Sequence, residues 1–158
     1  MKKIDTLFNE WQSLQPLKES NQRRLDQKFM LEFNYNSNHI EGNTLTYGQT
    51  EFLLMFGKVV DNANMKDLEE MKASNVGLKM VKEAAIDKEQ PLTEYFIRTL
   101  HQTLLREDYV VYRQLPDGTN TSYVVHAGRY KTRPNSVITA TGEKFEYAWD
   151  DVGLEEAK

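Results

Sequence analysis

The stretch SNHIEGN, residues Ser37 to Asn43, decides how this sequence is interpreted. Glycine commonly follows the end of a helix because it adopts a positive φ without strain, so Gly42 predicts a helix end. Glu41 then lies in the last turn, where the negative helix end disfavours a carboxylate by about 0.3 kcal/mol or more. Either Glu41 is a surface glutamate with Ser37 as a neighbouring hydroxyl, or it is held for a cationic partner. Periodicity alone leaves both open.

Working outward from this stretch, helical periodicity predicts a mainly α fold. One stripe of a helix over about residues 20–40 carries Leu25, Phe29, Phe33, Asn36 and Ile40. The adjacent stripe carries Met30, Phe33, Ser37 and Glu41, and we expect its apolar members to be packed, which puts Glu41 at the edge of the core. Further helices are expected at residues 1–16, behind a Thr46–Gln49 capping box, at 65–87 and from Thr93.

One or two small hairpins are expected in the last third of the chain. Residues 108–125, DYVVYRQLPDGTNTSYVV, have β-branched and aromatic residues on both sides of a turn-rich segment. Residues 137–148, VITATGEKFEYA, alternate around Thr141-Gly142 and form the second candidate. An edge of that hairpin is also a surface to which another extended chain could add.

Composition narrows the classes of function. The chain has 158 residues, a formal net charge of −4 and a pI near 5.5, which argues against nucleic-acid and anionic-membrane partners. It has no cysteine, which excludes thiol chemistry and cysteine-bound zinc. It has neither a signal-peptide pattern nor an apolar run long enough to span a membrane, so a cytoplasmic location is expected.

The histidines give no metal-ligand spacing. His101 lies one position from Leu100, and we expect it to be half-buried and bonded to a backbone group; His39 and His126 stand alone. Arg129, Lys131 and Arg133 form a basic loop, either solvated or in contact with an anion or partner. Dinucleotide-binding, P-loop and serine–histidine–acid patterns are absent from the sequence.

Residues 37–42 match the inhibitory motif (S/T)xxxE(G/N) of Fic proteins. Three further segments resemble the same family in the same order: IEGNTLTYGQTEFLL after the inhibitory helix, LTEYFIRTLHQTLL at the start of the Fic core, and AGRYKTRPNSVITATGEKFEYA around the flap hairpin. The resemblance extends over about residues 20–148. It implies a partial Fic-like helical bundle with an arm and inhibitory helix at 1–45 and the N-terminal part of the core at 46–158.

The resemblance also implies an activity. Fic enzymes move AMP from ATP, with Mg²⁺, onto a hydroxyl side chain of a target protein, and some run the reverse reaction. Glu41 would be the inhibitory acid that pairs with an arginine of the catalytic region, framed by Ser37 and Gly42. The flap that docks the target would consist of Val137, Ile138, Thr139, Ala140, Thr141, Gly142, Glu143, Lys144, Phe145, Glu146 and Tyr147.

The sequence departs from the family in one respect: the catalytic loop HxFx(D/E)GNGR is absent. We therefore expect the chain to resemble the N-terminal part of a Fic protein, with no catalytic residue or metal ligand of its own, no cofactor when alone, and no activity alone. ATP and Mg²⁺ would bind the full-length parent. The partners would be the protein target and a Fic catalytic region, in cis or as a Fic enzyme in trans.

Two alternatives stay open, a Fic-derived module that inhibits in trans and a helical interaction protein unrelated to AMP transfer. A fragment that lacks core helices would expose apolar stripes at Phe96, Leu100 and Leu104, and we expect it either to form homo-oligomers or to have a loosened fold.

Overall fold

The computed structural model describes residues 2–59, 62–87, 89, 91–115, 118–132, 136–139 and 143–146. Within these ranges the chain forms five helices followed by two hairpins, which confirms the mainly α prediction. The helices are α1 (Lys2–Ser13), α2 (Glu19–Ile40), α3 (Tyr47–Phe56), α4 (Met65–Ile86) and α5 (Glu94–Leu105). The strands are β1 (Tyr109–Gln114), β2 (Asn120–Val125), β3 (Ser136–Ile138) and β4 (Lys144–Glu146).

Helix α4 is the centre of the bundle, because α2, α3 and α5 all pack against it. Four side chains at the junction of α3, α4 and the segment before α3 form the buried apolar cluster: Leu45, Leu53, Leu68 and Met71. Helix α1 packs against no other described element. None of the helices in the described ranges has the length and apolarity needed to cross a bilayer.

Helix α2 does not bury the face that its apolar residues predicted. Phe29 and Phe33 are 46% and 42% exposed, whereas Leu31 and Asn34 are buried. Asn34 Nδ2 donates to the Met30 carbonyl (2.8 Å) and lies 3.3 Å from Asn75 Oδ1 on α4. A hydrogen-bonded asparagine therefore occupies the packing face, and a search for apolar periodicity does not detect it.

Helix α5 begins at Thr93, whose hydroxyl accepts from the Phe96 amide (3.1 Å). A Cβ added at Gly77 of α4 would lie 2.9 Å from Leu104 Cδ2, so glycine permits a close approach of the two helices. Phe96 and Leu100 are half-buried, so the prediction that they form an exposed stripe is wrong for these two. Leu104 is 42% exposed, as expected.

Both predicted hairpins are antiparallel ribbons. Strands β1 and β2 pair Tyr109 with Val125 and Gln114 with Asn120. Strands β3 and β4 pair Val137 with Phe145. In this second hairpin the Thr139 amide donates to the Glu143 carbonyl (2.9 Å), and the Glu143 amide donates to Thr139 Oγ1 (3.1 Å). Ala140, Thr141, Gly142 and Tyr147 lie outside the described residues.

Candidate functional site

The end of α2 is closed by a Schellman arrangement. The Asn43 amide donates to the Asn38 carbonyl (3.0 Å), and the Gly42 amide donates to the His39 carbonyl (3.1 Å). Gly42 has a φ of 95°, in the left-handed region that glycine favours, which confirms the predicted helix end. Glu41 is therefore the C-cap residue, with φ −83° and ψ 4°.

The side chains of the motif face outward. Ser37 is half-buried and Glu41 is exposed. Within the described residues the Glu41 carboxylate makes no hydrogen bond or ion pair. Phe33, two turns earlier on the same stripe, is also exposed, so the expectation that this face is packed is wrong for Phe33. The unfavourable placement of Glu41 against the helix dipole is thus not offset by a described cation.

An aromatic group lies beside the motif. The Tyr35 and His39 rings stack with centroids 5.4 Å apart, and Tyr47 contacts Tyr35 edge-on at 5.3 Å. Tyr47 is the first residue of α3, so the contact holds that helix against the last turns of α2. The capping box also forms as predicted: Thr46 Oγ1 accepts from the Gln49 amide (3.2 Å) and Gln49 Oε1 from the Thr46 amide (2.9 Å). The motif therefore sits at a well-defined helix–helix corner.

The residues just after the motif are anchored to α4. Asn43 Nδ2 donates to the Asp67 carbonyl (2.9 Å), and the Thr44 amide donates to Asp67 Oδ2 (2.9 Å). The Thr44 hydroxyl bonds the same carboxylate oxygen. Asn43 is 4% exposed and Asp67 is 7% exposed. Sequence reasoning missed this anchor, although a buried acid in the first turn of a helix is favourably placed in the helix dipole.

A second polar cluster joins the first hairpin to the loop that follows it. Asp108 Oδ2 lies 2.6 Å from His126 Nδ1, and Asp108 Oδ1 accepts from the Ala127 amide (2.8 Å). The hydrogen bond from His126, and next that from Ala127, hold the pKa of Asp108 below its ordinary value. These contacts were also missed, since residues 108 and 126 are distant in sequence.

His101 has the role that its position predicted. It is half-buried, and its Nδ1 accepts from the Gly128 amide (2.9 Å). Gly128 has a φ of 72°, and a Cβ there would lie 3.2 Å from the Arg98 carbonyl. The loop leading to the second hairpin is therefore fixed against α5. Arg129 and Lys131 of the basic loop are exposed, and Arg133 lies outside the described residues.

Comparison with known proteins identifies a structural relative of this chain. No protein-family model matches the sequence, and no curated protein matches it. A solved structure of a Fic domain-containing signalling protein from Bacteroides thetaiotaomicron VPI-5482 matches with a TM-score of 0.76 and 57% identity. The match covers 92% of this chain and 49% of that protein, so this chain spans about half the length of its relative.

This chain belongs to the Fic family. The match extends over nearly all of the chain and includes most of the segments that resemble Fic proteins. It also agrees with the helical architecture predicted from that resemblance. The assignment to the N-terminal part, and the roles of Ser37, Glu41, Gly42 and the flap residues, remain predictions.

The family implies Mg²⁺, which binds to groups of oxygen ligands such as carboxylates. Within the described ranges no three histidine, aspartate or glutamate side chains come together in a group suited to a metal ion. The carboxylates of Asp67 and Asp108 do lie in polar clusters, but each already makes hydrogen bonds within the chain. Asp67 bonds to Thr44, and Asp108 bonds to His126. The described residues thus do not fit a Mg²⁺ site, and no chemical step is assigned to them.

Proposed function

We propose that these residues are the regulatory and target-docking part of a Fic-type protein AMP-transferase. The proposed reaction moves AMP from ATP, with Mg²⁺, to a hydroxyl side chain of a target protein and releases pyrophosphate. Because the 158 residues contain no HxFx(D/E)GNGR loop, we assign catalysis and nucleotide binding to a Fic catalytic region in the same or a separate polypeptide. Since ATP is the proposed donor, we place this function in the cytoplasm.

The observation that carries the proposal is the state of Glu41. Its carboxylate is exposed, unpaired among the described residues and attached to a backbone that the helix end fixes. An arginine of the catalytic region would supply the missing cation as a bidentate, charge-assisted pair. An arginine held by Glu41 would be denied to the γ-phosphate of ATP, and this would keep the enzyme inhibited.

The second hairpin supports the docking half of the proposal. Strands β3 and β4 form a short ribbon in which each strand has only one neighbour within the described residues. A target segment could add to a free edge through main-chain hydrogen bonds. The first hairpin and the contact of Gly128 with His101 fix the start of the loop that leads to this ribbon. Residues 137–147 are accordingly proposed as the target-docking flap.

A fusion tests the inhibitory role. This chain would replace the matching half of the Bacteroides relative, so that the other half supplies the proposed catalytic region. Self-labelling from ATP labelled on the α-phosphate would be measured for the wild type, Glu41→Gly and Glu41→Gln. We expect both variants to label about tenfold faster or more, since a hydrogen bond between charged groups contributes about 1.5–3 kcal/mol.

The matched control is Glu51→Gln, which alters another exposed glutamate, on α3. It should label at the wild-type rate. Equal labelling of wild type and both Glu41 variants, including no labelling in any of them, would overturn the proposal. Inhibition that reappears when wild-type chain, but not its Glu41→Gly form, is added to an active fusion would show that the module also acts in trans.

A further inference from the structure

We propose that Asn43 and Asp67 are positioning residues that hold Glu41 where it inhibits, and that releasing this anchor relieves inhibition even though Glu41 is intact. The inference rests on the proposed function of Glu41. It adds two residues outside the six-residue motif, one of them on a different helix. Both act on Glu41 through the backbone and neither is assigned any contact with nucleotide.

The anchor is a continuous set of buried and partly buried hydrogen bonds. Asp67, in the first turn of α4, receives the Thr44 amide and hydroxyl on one carboxylate oxygen. Asn43 donates to the Asp67 carbonyl and lies 3.3 Å from Glu70 Oε2. The Leu45 amide donates to Asn43 Oδ1 (3.2 Å), and Leu45 itself is 3% exposed in the apolar cluster. Three consecutive residues are thus fixed to α4.

The anchor begins only two residues after Glu41, and it is part of the same helix end. The backbone amide of Asn43 donates to the Asn38 carbonyl at the end of α2, and its side chain donates to the Asp67 carbonyl of α4. Asn43 therefore fixes the backbone at Glu41, the C-cap residue of α2, relative to the first turn of α4. Two hydrogen bonds at the helix end leave the intervening residues little freedom, so the direction of the Glu41 side chain follows the anchor.

Side chains close to Glu41 are more exposed than Asn43 and Asp67, which indicates why Glu41 needs an anchor. Ile40, the residue before Glu41, is 81% exposed and Phe33 is 42% exposed, so these two side chains add little packing around Glu41. An ion pair with a remote arginine needs its two groups held to within a fraction of an ångström. Within the described residues, the buried polar contacts of Asn43 and Asp67 supply that restraint.

A double-mutant cycle in the fusion tests the inference. Asp67→Ala in the Glu41 background should raise self-labelling by about tenfold, because misplacing a positioned group by about 1 Å can change a rate up to about a hundredfold. In the Glu41→Gly background the same substitution should change labelling less than about twofold, since two changes that act through one contact are not additive. Asn43→Ala should behave like Asp67→Ala.

Two controls separate positioning from loss of fold. Asp67→Asn keeps an oxygen that can accept from the Thr44 amide and should retain most of the inhibition. Glu69→Ala removes an exposed acid of the same helix, which pairs with Arg106 at 3.1 Å, and should not alter labelling. In the 158-residue chain, hydrogen exchange at the Thr44 amide should accelerate in Asp67→Ala, while amides in the middle of α5 keep their protection.

The outcomes distinguish the two proposals. If Glu41→Gly does not raise labelling, the proposed function itself fails. If Glu41→Gly raises labelling but Asp67→Ala and Asn43→Ala do not, the inhibitory role stands and the positioning role is overturned. Labelling that Asp67→Ala changes by the same factor in both Glu41 backgrounds would also overturn it, because the effect would then be independent of Glu41.

Discussion

Asp108 gives the residue-scale prediction with a definite sign in pH. The hydrogen bond from His126 and then that from Ala127 lower its pKa below the ordinary value of 3.8. A carboxyl whose pKa is lower in the folded than in the unfolded chain adds stability above its unfolded pKa, and this is lost as the pH falls through the folded pKa. We expect Asp108 to titrate below 3.8, and stability to fall below about pH 4, as followed by carbon-detected NMR and thermal unfolding.

His126→Ala is the matched control for that titration, because it removes the largest cause of the lowered pKa of Asp108. The pKa of Asp108 should then move up toward 3.8. Both side chains are about half exposed, at 48% and 52%, so salt at about 0.5 M should reduce the effect of the pair. A titration curve unchanged by His126→Ala would show that the pair does not set the ionisation of Asp108.

Sequence reasoning succeeded where a residue's role is set by its near neighbours. The sequence correctly predicted that Gly42 follows the end of a helix. It also predicted that His101 is half-buried, because His101 adjoins an apolar stripe. Asp67 and Asp108 were missed because their partners Thr44 and His126 lie 23 and 18 residues away. The residues next to an acidic side chain in sequence do not indicate its partner when the two are brought together only by the packing of helices and strands.

At the scale of elements, Gly42 and Gly48 can be compared as sites for substitution by alanine. Gly42 and Gly48 both have open space where a Cβ would lie, but only Gly42 has a positive φ. Gly42→Ala should therefore lower the free energy of unfolding by about 1 kcal/mol through backbone strain alone. Gly48→Ala, in the first turn of α3, should raise it by up to about 1 kcal/mol through helix propensity. Urea denaturation checks both; shifts of the same sign would contradict the assigned helix end.

The helices and hairpins themselves were largely predictable. Helix α2 was expected over about 20–40 and runs from Glu19 to Ile40, and the first hairpin was expected at 108–125. These limits follow from caps, turn residues and periodicity, all of which act within a few residues of chain. The Thr46–Gln49 capping box is the clearest case, since both of its hydrogen bonds form as its sequence indicated.

At the scale of the whole molecule, the burial pattern could not be predicted in the same way. Four of the buried residues in the described ranges are polar, namely Asn34, Asn43, Thr50 and Asp67, and each takes part in a hydrogen bond. Meanwhile Leu25, Phe29 and Phe33 lie on the exposed side of α2. Which face of a helix is covered depends on the direction in which its neighbours pack. The apolar periodicity of α2 is the same whether or not another helix covers the stripe, so it does not predict that the stripe is buried.

That exposed stripe leads to the prediction for the whole chain. The Phe29 and Phe33 rings stack 5.7 Å apart and both side chains are partly exposed, with Lys82 Nζ 5.0 Å from the centroid of the Phe29 ring. Exposed apolar surfaces favour association, so we expect sedimentation velocity to show a coefficient that rises with concentration. The double substitution Phe29→Ser with Phe33→Ser should leave the chain monomeric at a cost in stability of about 1–3 kcal/mol, since both rings are already partly hydrated.

Tyr112→Ser is the control for that experiment, because Tyr112 is 80% exposed on β1, a strand that makes no contact with α2. It should associate like the wild type. A wild-type chain that sediments as a monomer at every concentration would contradict the prediction.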